Sequence, residues 1–326
     1  MKKIFLILIV WLAVVGNVSA NDSIGALGAG GIEFKKTNNI SMEKEVLTIS
    51  PNLVRVEYVF VNHSDKEISE RVFFPMPFTG FDYGCSPEHH GDLSGFKLWV
   101  NEMEIMPLRT ARARLKSGKD VYRKLADLGF LDEEIVKFRG IEYGCDGNPR
   151  VSGKYANSLP LFIKEGLADS ASFPMWEASY IYYWEQKFPP KIPVRVVHEY
   201  APFVGIGSGR VTFDSQNSWG QDIKKKYCMT KGTIRKADEI RQRTAYWNGG
   251  GLAYQEVNYV LTTGANWAGP IKDFTLVLKK QNSFSTASLC FEGNFKKANE
   301  FTLISNLKNF VPKQDLQIIF LFPYEN

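Results

Sequence analysis

Four histidines, His63, His89, His90 and His198, are the side chains of this chain best suited to acid–base work or metal ligation. His89 and His90 are adjacent, with Glu88 and Asp92 close by, a donor set that suits a divalent cation. Adjacent strand residues point to opposite faces, and no helical His-x3-His spacing exists. An exposed polar loop is the favoured reading, so no metal and no cofactor is assigned. Gly205-Ile206-Gly207-Ser208-Gly209 imitates a nucleophile elbow only with its serine displaced by one place. No Lys-Ser/Thr follows it, so it is not a phosphate cradle, and a Gly-rich turn is expected there. Paired carboxylates of a glycosidase cannot be located by spacing. No catalytic residue is assigned.

Basic and aromatic residues offer binding chemistry instead. Positions 109–124 carry seven basic residues and one acid, Asp120. Leu108, Ala111, Leu115, Gly118, Tyr122 and Leu125 recur at three- and four-residue spacing, which predicts helix. Arg109, Arg112, Lys116, Lys119 and Arg123 then fall beside that stripe, as a solvated face or as a contact for anionic lipid or cell-wall polymer. In Tyr180–Trp184 alternation places Tyr180, Tyr182 and Trp184 on one face of a strand. Asn266 and Trp267 stand in a turn between Gly264 and Gly269-Pro270, where the indole serves as a plug on the end of a sandwich or as a contact residue. The candidate binding residues are Arg112, Lys116, Lys119, Arg123, Trp184, His198, Asn266 and Trp267.

The elements that must position these residues follow from the pattern along the chain. Met1-Lys2-Lys3, the apolar run from Ile4 to Val15 and the small residues ending at Ala20 form a secretory signal, with cleavage expected after Ala20. The net charge of +5 falls to +3 without Lys2 and Lys3. An exported protein, periplasmic or extracellular, with no transmembrane span after cleavage, is expected. An oxidising compartment makes Cys85, Cys145, Cys228 and Cys290 a disulfide set. Three connectivities exist. Cys85–Cys145 with Cys228–Cys290 keeps each bridge within one half of the chain and is favoured.

The composition, 44% apolar with 40 basic and 35 acidic residues, is that of a globular chain. The expected fold is mainly β (α+β), an antiparallel β-sandwich-like core with a helical insertion at about 109–170. In Leu53–Asn62 the apolar positions Val54, Val56, Tyr58 and Phe60 alternate with Arg55 and Glu57, a half-buried strand. Phe96–Val100 and Met103–Leu108 flank Asn101-Glu102, a hairpin. Two parts are expected after the signal: 21–203, a sandwich carrying the insertion, and 204–326, a β-rich part packed on it.

Several motifs then form a recognisable set. They include Asn21-Asp22-Ser23, Val54-Arg55-Val56-Glu57-Tyr58 and Tyr183-Trp184-Glu185-Gln186. His198-Glu199-Tyr200-Ala201-Pro202, Thr263-Gly264-Ala265-Asn266-Trp267-Ala268-Gly269-Pro270-Ile271 and Pro312-Lys313-Gln314-Asp315-Leu316 complete the set. By these the chain resembles the bacterial exported family catalogued as domain of unknown function 4424, over nearly the whole mature length. That resemblance implies no established activity and transfers no catalytic residue. Phe73–Pro77, Gly95-Phe96 and His198–Tyr200 are also similar in order to the VIT domain of inter-alpha-trypsin-type proteins, which implies a β-sandwich with a helical excursion.

The expected function is that of an uncharacterised, non-catalytic binding or scaffold protein of the cell envelope. Its partner would be another envelope protein or a cell-wall or anionic-lipid surface. Export and the small net charge disfavour nucleic acid. The alternative is an envelope hydrolase whose site is assembled from distant residues.

Overall fold

A computed structural model of the chain describes residues 22–28, 31–81, 89–90, 95–138, 140–143, 149–209, 213, 218–244 and 251–324. Its first strands are β1 (Ser23–Gly28), β2 (Gly31–Lys35), β3 (Ile40–Ile49), β4 (Val54–Asn62) and β5 (Ile68–Pro75). β6 (His89–His90), β7 (Lys97–Val100), β8 (Met103–Ile105) and β9 (Leu108–Leu115) follow. Helices α1 (Tyr122–Asp127) and α2 (Asp132–Val136), the short pair β10 (Ile141–Tyr143) and β11 (Pro149–Val151), and helix α3 (Gly153–Lys164) come next. β12 (Trp176–Phe188), β13 (Pro193–Tyr200) and β14 (Val204–Gly209) lead into helices α4 (Ser218–Lys226) and α5 (Lys231–Thr244). The rest is β15 (Gly251–Tyr259), a 3-10 turn at Thr262–Asn266, β16 (Ile271–Lys279), β17 (Thr286–Ser288), β18 (Lys296–Asn299), β19 (Thr302–Phe310) and β20 (Leu316–Tyr324).

The fold is mainly β. An eight-stranded sheet runs β18-β19-β16-β3-β4-β13-β7-β8, and two five-stranded sheets run β2-β1-β5-β12-β9 and β17-β20-β15-β14-β6. One hydrophobic core takes residues from all three, so the layers form a sandwich around it. Among the described strands the ladders are antiparallel except where β16 lies parallel to β3, which carries the large sheet across position 203/204. β4 shows why these residues form strands. Val54, Val56, Tyr58 and Phe60 are all buried on one face while the residues between them are half-exposed.

The β7–β8 hairpin turns on Asn101 (φ 48°) and Glu102 (φ 72°), the left-handed pair that a two-residue hairpin loop requires. Glutamate is strained there. Glu102→Gly is expected to raise the unfolding free energy by about 0.5–1 kcal/mol, read as a higher melting temperature.

Two sequence expectations are corrected. Residues 108–115 are not helix but strand β9, paired residue by residue with β12 from Leu108↔Tyr183 to Leu115↔Trp176. Small Ala111 and Ala113 fit under the sheet, and the ladder to β12 outweighs a weak helical periodicity. The helical excursion therefore begins at α1. Gly129, at φ 82°, donates its N–H to the Ala126 carbonyl and ends that helix. Residues 204–209 are likewise strand β14, not a turn. Gly207 lies directly opposite Tyr254, and a Cβ there would overlap the tyrosine ring. Gly207→Ala should cost about 1–3 kcal/mol in urea unfolding.

A second, smaller core joins α4 and α5 to β15 and β20 through Ile223, Tyr227, Ala237, Ile240, Leu252 and Ile319. The bridge Cys228–Cys290, with Cα atoms 4.9 Å apart, ties the α4–α5 junction to the segment after β17. Cys85 and Cys145 lie outside the described residues. Among the described residues no helix is long and apolar enough to cross a membrane.

Candidate functional site

Asp22 immediately precedes β1, yet its side chain has no exposed surface. Its Oδ1 lies 2.9 Å from His198 Nε2 on β13, and His198 is equally sealed. Four rings box the imidazole: Phe74 at 4.9 Å, Phe96 at 5.0 Å, Trp184 at 5.3 Å and Tyr58 at 5.6 Å between centroids. Burial pushes the Asp22 carboxyl above its usual range, and the charge and hydrogen bond of His198 only partly oppose this. Tyr58 adds a second buried polar link, its hydroxyl 3.1 Å from that of Tyr259 on β15.

The turn after β15 grips the same segment. Trp267 Nε1 donates to the Asp22 carbonyl at 2.7 Å, and Asn266 Nδ2 donates to Ser23 Oγ at 3.0 Å. The Asn266 carbonyl accepts from Thr37 N–H, and Ala268 N–H donates to the Ile40 carbonyl. The indole packs 4.3 Å from the Phe60 ring. Asp315 holds the turn from the other side, its Oδ1 accepting from the Leu261 and Thr262 N–H groups and from the Thr262 hydroxyl. Gly269 takes φ 76°, a conformation that favours glycine.

A cleft of about 320 Å³ opens over this turn. Residues 36–38 form one side, Gly264, Ala265, Trp267, Gly269 and Pro270 the second, and residues 310–312 the third. Its walls are mostly small or apolar, with Lys36 as the one cation among the lining residues.

Four of the eight candidate residues thus meet around Asp22: Trp184, His198, Asn266 and Trp267. The four basic ones do not share a face. Arg112 is buried on β9, where its guanidinium donates to the Met76 carbonyl at 2.7 Å and to Ser179 Oγ at 3.0 Å. Lys116 and Lys119 occupy the turn after β9. Arg123 stands on α1, 78% exposed and paired with Asp127. The expected basic helix face is replaced by a strand, a turn and a short helix.

His89 and His90 form β6, paired with Gly205 and Val204, while Glu88 and Asp92 lie outside the described residues. Among the described residues no group of three or more His, Cys, Asp or Glu could hold a metal ion.

One cluster was not anticipated. Ser41 Oγ is 2.6 Å from His63 Nε2 and donates to Glu43 Oε1 at 2.5 Å, and Lys272 pairs with Glu43 at 2.7 Å. A bulge between Met42 and Lys44 aims Glu43 at this group. It is not a triad. Serine and acid both face the same imidazole nitrogen, so this acid does not orient the ring from Nδ1. No local motif announces it, because the four residues come from β3, β16 and the turn after β4.

A family model described as Domain of unknown function (DUF4424) matches residues 20–319. The chain belongs to that family. The DUF4424 motifs quoted above supply Asp22, Trp184, His198, Asn266, Trp267 and Asp315, so they converge on one place in the fold. No curated protein matches the DUF4424 chain. A Legionella pneumophila structure, provisionally titled a nutrient binding protein, is similar at 14% identity and TM-score 0.41, with 93% of this chain and 70% of that one covered. An M1 zinc metallopeptidase from Deinococcus radiodurans is similar at 8% identity and TM-score 0.30. There the match covers 88% of this chain but 43% of the peptidase, less than half its length. Likenesses at these scores carry no functional inference.

Proposed function

We propose that this DUF4424 protein is a non-catalytic binding protein of the cell envelope, exported by its N-terminal signal, with the cleft over the Trp267 turn as its contact surface. The observation that carries this reading is the convergence of the motifs on a clamp with an open cleft beside it. Such a clamp gives the cleft a rigid wall, because Trp267, Asn266 and Asp315 each spend their polar atoms on positioning the turn. The partner is another envelope protein or a cell-wall polymer. The hydrolase alternative has less support: a general base must reach its substrate, and His198 has no exposed surface.

A photo-crosslinking side chain at the exposed Val311, beside the cleft, should give a discrete adduct in intact cells, while one at Glu104 on β8 should not. Equal labelling at both positions, or no adduct at Val311, would remove the cleft from this role. N-terminal sequencing of protein recovered from the envelope should read Asn21 first. Recovery of intact Met1 would refute the signal.

A further inference from the structure

Exposed aromatic and basic groups gather at the opposite end of β16 from the cleft. The β16–β19 ladder runs from Ile271↔Phe310, beside the cleft, to Lys279↔Thr302. At 3.3 Å per residue these ends are roughly 26 Å apart. Two loops meet at the far end. Phe284 stands on the loop between β16 and β17 and is 47% exposed, and Phe301, between β18 and β19, is 42% exposed.

Neither phenylalanine is on a slack segment. Asn282 Oδ1 accepts from the N–H groups of Phe284 and Ser285 and from the Ser285 hydroxyl. Asn299 Oδ1 accepts from Phe301 N–H. Lys280 joins the two loops, its backbone N–H bonding the Phe301 carbonyl and its ammonium bonding the Ser285 carbonyl at 2.8 Å. Built turns leave both phenylalanines about half exposed, apolar surface that a covering phase would bury.

Cations surround them. The Arg243 guanidinium, at the end of α5, sits 4.9 Å over the Phe284 ring. Lys297 pairs with Leu303, just after the Phe301 turn, and helix α5, which carries Lys236 and Arg243, packs against β17 at the end of the Phe284 loop. Burial and the ammonium groups of Lys297 and Lys236 push the Lys280 pKa down. Lys296 and Lys297 are exposed on β18. Among the described residues, Glu239, paired with Lys236, and Glu300 are carboxylates near these cations.

We infer that this end of the molecule docks on an anionic lipid surface, with Phe284 and Phe301 entering the headgroup layer and Lys236, Arg243, Lys296 and Lys297 supplying the positive charge toward the phosphates. Aromatic side chains at that depth and a basic rim match the two parts of such an interface, apolar beneath and negative above. An acidic protein partner would engage the same cations and rings, and binding to protein-free vesicles separates the two readings. Docking this way turns the Trp267 cleft away from the lipid. It does not depend on what the cleft binds.

The experiment is co-sedimentation of the mature protein with phosphatidylcholine vesicles, with and without phosphatidylglycerol. Binding to the anionic vesicles alone, weakening as salt rises, is the expected result. Lys236→Gln/Lys297→Gln should lower partitioning roughly 25-fold, about five-fold per charge. Phe284→Ser/Phe301→Ser should lower it at least about ten-fold at fixed salt. Lys313→Gln, at the other end, should leave it unchanged. Melting curves that match the wild type keep a docking defect separate from a folding defect. Absence of sedimentation with anionic vesicles overturns the proposal. So does equal binding to neutral ones, or wild-type partitioning by both double variants.

Discussion

Replacing His198 by leucine should lower the unfolding free energy by about 3–5 kcal/mol, because it removes the imidazole that bonds the Asp22 carboxyl within the core. Replacing both partners by leucine should restore much of that loss, since a buried pair removed together leaves no orphan charge. Urea unfolding of the two variants beside wild type measures the difference. The pH dependence has a definite sign. Burial raises the folded pKa of Asp22 above its ordinary 3.8. A carboxyl of that kind favours the folded state most below the ordinary value and least once pH has risen through the folded value. The stability gap between the single and double variants should therefore narrow as pH falls toward 3.8. A single-variant loss below about 1 kcal/mol would show that the pair does not hold the N-terminal segment in place.

Trp267→Ala is the second large loss, about 3–5 kcal/mol. The indole is 4% exposed, fills the space against Phe60 and Phe188, and satisfies the Asp22 carbonyl. Trp267→Phe separates these roles. It keeps most of the packing and loses the 2.7 Å hydrogen bond, so about 1–3 kcal/mol is expected. An unchanged melting temperature for Trp267→Ala would exclude the indole as a filler of the sandwich end. Because the turn it anchors also walls the cleft, the same substitution should abolish a crosslink from Val311.

The Trp184–His198 contact and the Trp267 clamp show how far local pattern reaches. Alternation in β4 and the Asn101-Glu102 hairpin could be read along the chain, because side-chain direction and turn geometry depend on immediate neighbours. The mainly β class followed from the same signals. The pairing Cys228–Cys290 was also accessible, since confining each bridge to one half of the chain singled it out. Residues 108–115 failed by the same local logic. Leu108, Ala111 and Leu115 imitate a helical stripe, and the distant partner strand β12 is what makes them β.

Site composition divides in the same way. Motif membership pointed to Asp22, Trp184, His198, Asn266 and Trp267 one by one, but not to their meeting. Asp22 reaches His198 across 176 residues of sequence and Trp267 across 245. Ser41, Glu43, His63 and Lys272 needed a bulge in β3 and a parallel β16 to meet. Lys236, Lys280 and Lys297 became one patch only when α5 packed against β15, β17 and β20. A one-dimensional pattern records which faces are apolar and where the chain turns. Which polar groups share a place depends on strand order and register, and those are settled by burial of the whole core at once.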